Sequence, residues 1–149
     1  PVDATLRTAA GGVWAIGDAA RHDHPVFGSM RVEHFDNALK MGEHVAKNLL
    51  GTPAVFDDAH WFWSDQYDAI IQMAGFATEW DDMVVRGSID ERSFSAFRLK
   101  DRQLLSTFSM NRKFDVRRSM PLIASKAHPD REQLADPEFD LRQLHPPKE

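Results

Sequence analysis

The chain has 149 residues, 42% of them apolar, a formal net charge of −5 and no cysteine. That apolar content supports a packed core and excludes a disordered chain, while the acidic balance argues against nucleic-acid binding, which leaves a basic footprint. Without cysteine the chain forms no disulfide, thiolate nucleophile or Cys-ligated zinc or iron–sulfur centre of its own, so any such cluster belongs to a partner.

The length suits one domain, or one small domain with a piece of another. No apolar run approaches the roughly 20 residues of a membrane span, and no secretory signal opens the chain, so a cytoplasmic protein is expected. The first apolar run, Val13-Trp14-Ala15-Ile16, reads as a short buried strand. It ends in Gly17-Asp18-Ala19-Ala20, a turn that presents one carboxylate at the carboxyl end of the strand, where open α/β sheets bind ligands. Such a strand needs neighbours, and few residues precede it. With Pro1 in place of Met, the chain is expected to be the back part of something larger.

Asp18 to Met30 has no clean period and reads as a loop. From His34 to Leu50 the residues Phe35, Ala38, Leu39, Gly42, Val45, Ala46, Leu49 and Leu50 form one helical stripe. Gly51 sits at a C-cap position and Pro53 blocks continuation. Residues 52–60 form a connector, and a domain boundary is expected there. Trp61-Phe62-Trp63-Ser64-Asp65-Gln66-Tyr67 leads into Ala69–Gly75. Three or four antiparallel strands follow one another, including Met83–Ser88, Ser93–Leu99 and Gln103–Met110, with Asp101-Arg102 as a two-residue hairpin link. Arg112–Lys126 reads as a helix with Phe114, Val116, Met120, Leu122 and Ile123 inward and Pro121 as a kink or break. The remaining residues, rich in proline and acid, read as a docked or frayed tail.

Several constellations admit chemistry beside an ordinary structural role. Asp18 can accept hydrogen bonds from ligand hydroxyls, or Gly17-Asp18 is simply a turn. The segment from Arg31 to Ala38 leads into the helix, whose N-terminus suits negative charge, but Glu33, Asp36 and Asn37 equally serve as caps. In an extended Trp61-Phe62-Trp63 the two Trp side chains share one face, able to stack on a flat ligand or fill an interface. His22, Asp23 and His24 with Asp18 have metal-ligand chemistry, or form a surface loop. Arg112, Lys113, Arg117 and Arg118 form a basic cluster that can meet an acidic partner or line a solvated helix face.

Together these residues resemble a known family. Val13-Trp14-Ala15-Ile16-Gly17-Asp18-Ala19 is similar to the second flavin-binding motif of two-dinucleotide-binding-domain flavoproteins, and Glu33-His34-Phe35-Asp36-Asn37-Ala38 continues it. Trp61-Phe62-Trp63-Ser64-Asp65-Gln66-Tyr67 resembles the opening of the C-terminal domain of the ferredoxin reductases of bacterial oxygenase systems, relatives of apoptosis-inducing factor. Gly75 and Val84-Val85-Arg86-Gly87-Ser88 follow the same pattern.

The resemblance implies an α+β fold: residues 1–51 as the last strand, loop and helix of a Rossmann-like FAD domain, and 52–149 as an antiparallel sheet with helices on one side. It implies FAD contacts at Gly17, Asp18, Glu33, His34, Phe35 and Trp63, with Asp18 on the ribityl chain, Glu33–Phe35 beside the flavin ring and Trp63 near the docked partner. The implied activity passes electrons from NAD(P)H through FAD to a ferredoxin-type iron–sulfur protein. No G-x-G-x-x-G is present, so this chain is expected not to hold FAD tightly or transfer hydride by itself. Family members can carry a basic residue where this chain reads Lys40-Met41-Gly42-Glu43-His44, which leaves the partner's identity open. Two alternatives stand beside this one: a non-catalytic module that dimerises through exposed apolar surface, and a metal-dependent hydrolase using Asp18, His22 and His24.

Overall fold

A computed structural model describes residues 1–51 and 53–144. The chain divides into two compact units, Pro1–Phe62 and a second that begins at Trp63.

In the first unit, Val13–Ile16 is not a strand. Trp14 makes a single antiparallel bridge to Arg7, and Val13 and Ile16 are exposed. The segment hydrogen-bonds one neighbouring stretch, through Thr8 N–H to the Val13 carbonyl and Ala15 N–H to the Leu6 carbonyl, and two such bonds make no ladder. The expected loop that follows contains a hairpin, β1 (His22–His24) and β2 (Gly28–Met30), paired antiparallel from His22↔Met30 to His24↔Gly28. Its side chains alternate, with His22 and His24 buried and Asp23 exposed.

Helix α1 (Phe35–Leu49) spans nearly the expected residues but is rotated about its axis from the expected face, with Ala38 and Gly42 half-buried. Its buried residues are Asn37, Met41, Val45 and Asn48. Met41 and Val45 join Val2, Leu6, Ala20 and Phe56 in the core. Of the expected inward stripe, Val45 is buried, whereas Phe35, Leu39, Leu49 and Leu50 are 70%, 52%, 58% and 87% exposed. The rotation has a polar cause. Asn48 donates to the Thr5 and Ala54 carbonyls and accepts from Ala54 N–H, and Asn37 donates to the Val32 carbonyl. Two buried, hydrogen-bonded amides flank the core face, and a hydrophobicity pattern assigns them outward.

Five strands make one sheet in the order β3-β4-β7-β6-β5. They are β3 (Trp61–Gln66), β4 (Ala69–Gly75), β5 (Asp82–Ser88), β6 (Ser93–Lys100) and β7 (Gln103–Met110). The β4–β7, β7–β6 and β6–β5 pairs are antiparallel. Asp101 and Arg102 link β6 to β7 with φ of 50° and 66°, as a two-residue turn matched to strand twist requires. Pairing registers place Ala74, Val84, Arg86, Ser95, Phe97, Thr107 and Ser109 on one face, and all are buried.

Helix α2 (Lys113–Ala124) covers that face across β4 and β7, and α3 (Arg131–Ala135) lies along β5. Val116, Leu122 and Ile123 point inward as expected and Met120 is half-buried. Phe114 instead is exposed, with Lys113 and Arg118 over its ring. Pro121 lies inside α2, which runs on to Ala124. Gly75 has φ +70°, and a Cβ there would stand 2.2 Å from the Leu105 carbonyl oxygen, so β4 and β7 meet at a position only glycine fits. The described part of the tail is docked, and residues 145–149 of it lie outside the described residues.

Candidate functional site

In the first unit the 3-10 turn Gly17–Ala19 is held against α1. Gly17 has φ +62°, and a Cβ on it would lie 3.2 Å from the Ala38 Cβ. Its N–H donates to the Met41 sulfur at 3.2 Å. The backbone at Gly17 therefore rests on the first turns of the helix, and the absence of a side chain is what permits it. Asp18 follows, exposed in the first turn.

At the head of α1 the cap is His34, whose Nδ1 accepts from Asp36 N–H at 3.3 Å. The expected caps do other work. Asp36 pairs with Lys40 at 2.8 Å, Asn37 turns into the core, and Glu33 pairs with Arg31 at the surface. The His34 ring lies 5.7 Å from that of Phe62. Phe35 is exposed, and Ile16 lies near Gly42, one turn beyond Ala38. Thus Gly17 is brought onto the start of the helix that carries His34 and Phe35, with an exposed carboxylate beside it. Burial disfavours the Lys40 ammonium, but hydrogen bonds to Asp36 and Asp58 outweigh that and hold its pKa above the ordinary lysine value.

In the second unit Trp63 lies in β3, 36% exposed. Nearby in chain order, Tyr67 turns the β3–β4 link at φ 56° with its side chain fully in solvent. A cavity of about 410 Å³ opens at the head of α2, lined by Ile70, Ser93, Arg112, Lys113, Phe114 and Arg118 among others. Arg112 donates to the buried Asp115 at 2.7 Å, which leaves Lys113 and Arg118, both stacked on Phe114, as its outward cations. Arg117 is exposed on the same helix.

Sequence reasoning missed the partners of Arg86. Only 2% exposed, it contacts Asp115 at 3.4 Å and donates to the backbone carbonyls of Asp136, Pro137 and Phe139, the last at 2.7 Å. One guanidinium thereby fixes the tail to β5. Burial pulls its pKa below the ordinary arginine value, and Asp115 opposes that. The alternation of β5 already marked an inward position at Arg86, but not the carbonyls that meet it.

The hydrolase alternative fails on placement. His22 and His24 are buried at 0% and 3% exposure while Asp18 faces solvent, and among the described residues no group of three His, Cys, Asp or Glu could hold a metal ion. The surface-loop expectation for His22 and His24 fails with it, because both rings turn into the unit. Among the described residues no helix is long and apolar enough to cross a membrane.

The antiparallel sheet with α2 and α3 on its helical side and the aromatic first strand define a reductase-type α+β domain. The chain belongs to the Reductase C-terminal family, which matches residues 61–145. Rhodocoxin reductase of Rhodococcus erythropolis is 37% identical over 142 residues, covering 95% of this chain and 33% of that protein. The ferredoxin reductase for the CYP199A2 system from Rhodopseudomonas palustris superposes with a TM-score of 0.89 at 39% identity, over 95% of this chain and 35% of that one. The reductase in a covalent putidaredoxin reductase–putidaredoxin complex gives a TM-score of 0.89 at 28% identity, over 96% and 34%. The chain spans about a third of the length of the curated relatives it matches.

Proposed function

We propose that this chain is the C-terminal part of an FAD-dependent NAD(P)H:ferredoxin oxidoreductase serving an oxygenase. It supplies one wall of the flavin site and a docking surface for an iron–sulfur protein. On this reading residues 1–51 finish the FAD-binding domain, residues 52–149 are the reductase C-terminal domain, and the protein is cytoplasmic. The observation that carries it is the Gly17–Asp18 turn seated on α1, in a chain that aligns along nearly its whole length with ferredoxin reductases.

The residues fit FAD in their chemistry. Asp18 offers an exposed carboxyl acceptor for the ribityl hydroxyls. The first turn of α1, behind Glu33, His34 and Phe35, offers backbone N–H groups and the positive end of the helix dipole to an electron-rich ring edge. Phe35 offers apolar surface for a flat ring system. When bound, FAD supplies two-electron exchange with NAD(P)H and one-electron exchange with an iron–sulfur centre. The protein's part is to orient that group, exclude water from it and receive the partner. Lys113 and Arg118 at the cavity beside Phe114, with Arg117 exposed on the same helix, suit an acidic protein face and would speed encounter.

The test uses protein from the complete reading frame, assayed for NAD(P)H-dependent reduction of a [2Fe–2S] ferredoxin. Flavin absorbance and turnover are expected. Lys113→Glu with Arg117→Glu should lower kcat/KM by about tenfold, an effect that fades as salt rises. A flavin-free protein, or one indifferent to the charge reversal at low salt, contradicts the proposal.

The exposed stripe of Phe35, Leu39, Leu49 and Leu50 favours a second reading, self-association into a homodimer through apolar surface. Sedimentation velocity checks it: a dimer that Leu39→Glu converts to monomer is expected, and a monomer at all concentrations contradicts it.

A further inference from the structure

Three imidazoles form a cluster inside the first unit. His22, His24 and His60 are 0%, 3% and 5% exposed. Their ring centroids lie 5.8 Å (His22–His24), 5.4 Å (His22–His60) and 5.0 Å (His24–His60) apart, walled by Phe27 and Phe56. Two histidines come from the hairpin β1–β2 and one from the segment that leads into β3, so the cluster joins two pieces of chain.

His24 has a defined protonation state. Its Nδ1 accepts the N–H groups of Val26 and Phe27 at 3.0 and 3.2 Å, and its Nε2 stands 3.0 Å from the Asp58 carbonyl oxygen. A carbonyl can only accept, so Nε2 carries the proton and donates, and Nδ1 is bare. The neutral ring thus closes the β1–β2 turn with two hydrogen bonds and ties it to Asp58 with a third. A second proton, on Nδ1, would set N–H against N–H at both turn amides. Around it, no group among the described residues hydrogen-bonds either ring nitrogen of His22 or His60. A charge on either ring would be buried without a partner.

We propose that His22, His24 and His60 form an acid-release latch: neutral, they close the hairpin onto the 56–60 segment, and protonation opens it. The charged groups around the cluster do not offset this. Asp23 on the hairpin favours a charged His22, and Asp57 and Asp58 favour a charged His24, yet burial outweighs them and both rings stay below the ordinary histidine pKa. Lys40, facing from α1, adds its repulsion to that of His24 and His22. With burial as the main cause, His60 is pushed down to about 3. His44, on α1, faces the cluster across Phe56, its ring centroid 5.4 Å from that of Phe56. Asp18 lies four residues before His22, so opening the latch would loosen the turn that carries it.

The sign follows from linkage. Rings neutral when closed and ordinary when open, with pKa about 6.5, take up protons on opening. Closure is complete above pH about 6.5 and is lost as pH falls. From pH 7.5 to 5.5 the opening constant should rise about tenfold for each ring that stays neutral when closed, so by at least that factor through His60.

Amide hydrogen exchange at Val26 and Phe27 in the intact protein, corrected for the intrinsic pH dependence of exchange, reads that constant. His24→Asn replaces the titrating acceptor with one that does not titrate but can still accept turn N–H groups. It should cut the pH effect about tenfold. Exchange that does not change with pH, or an equal pH effect in His24→Asn, overturns the latch. If His24→Asn does not fold, NMR titration of the unmodified protein decides: ring pKa values all below 6 support the latch, and any of the three at 6.5 or above overturns it.

Discussion

The second unit buries one face of its sheet under helices, whereas the first unit turns the apolar stripe of its long helix to solvent. In the sheet unit one face carries Val84, Phe97 and Ala74 on the side covered by α2 and α3, and the charged groups in that layer, Arg86 and Asp115, meet each other. In the first unit the most amphipathic helix turns Met41 and Val45 to a small core and leaves Phe35, Leu39, Leu49 and Leu50 in solvent. An apolar stripe facing water is what a surface intended for contact looks like. The difference teaches that periodicity locates a helix but does not say which side its own unit will use.

The largest effect that sharpens this contrast should come from Arg86. Its truncation to Ala leaves the Asp115 carboxylate buried beside Arg112 alone and strips donors from the tail carbonyls, so we expect a loss of about 3–5 kcal/mol. Urea denaturation checks it, with the second unit's transition shifting and the first unit's holding.

Next is a pair within α1. Met41→Ala should cost about 2–5 kcal/mol, because Met41 is fully buried and also receives the Gly17 N–H. Leu39→Ala should change stability by less than about 0.5 kcal/mol. Equal costs would restore the inward stripe and erase the contrast.

The smallest of the three is a pH effect. His60, depressed to about 3, contributes stability that is complete above its unfolded pKa and is lost as pH falls through the interval below about 6.5. From pH 7.5 to 5.5 that one ring should cost the first unit about 1.4 kcal/mol. Among the described residues the second unit buries no histidine, so denaturation of the two units should diverge with acid.

Much of the second unit was legible in the sequence because alternation and turn chemistry act locally. Asp101-Arg102 marks a hairpin, and Ser93 to Leu99 alternates as a strand with one covered face. Phe114 was misplaced because periodicity cannot weigh an apolar ring against the Lys113 and Arg118 that stack on it. In the first unit the helix was legible but its orientation was not, since Asn37 and Asn48 are buried through backbone carbonyls outside the helix, Val32 for Asn37 and the distant Thr5 for Asn48. The apparent strand at Val13–Ile16 had the composition of a central strand but finds one bridging partner. The hairpin at His22–Met30 was hidden because its closure rests on a histidine nitrogen accepting two amides, which no pattern records. For the proposed flavin wall, the residue types at Gly17, Asp18 and Phe35 were visible; the seating of Gly17 on Ala38 and Met41 needed coordinates.

The proposed wall rests most on Asp18. The decisive measurement is the FAD content of protein purified from the complete reading frame, read as the ratio of flavin to protein absorbance, with and without Asp18→Ala. We expect near-stoichiometric FAD in the unmodified protein and loss of most of it in the variant, with the first unit still folded. Absence of flavin from the unmodified protein, or full occupancy in Asp18→Ala, would contradict the assignment.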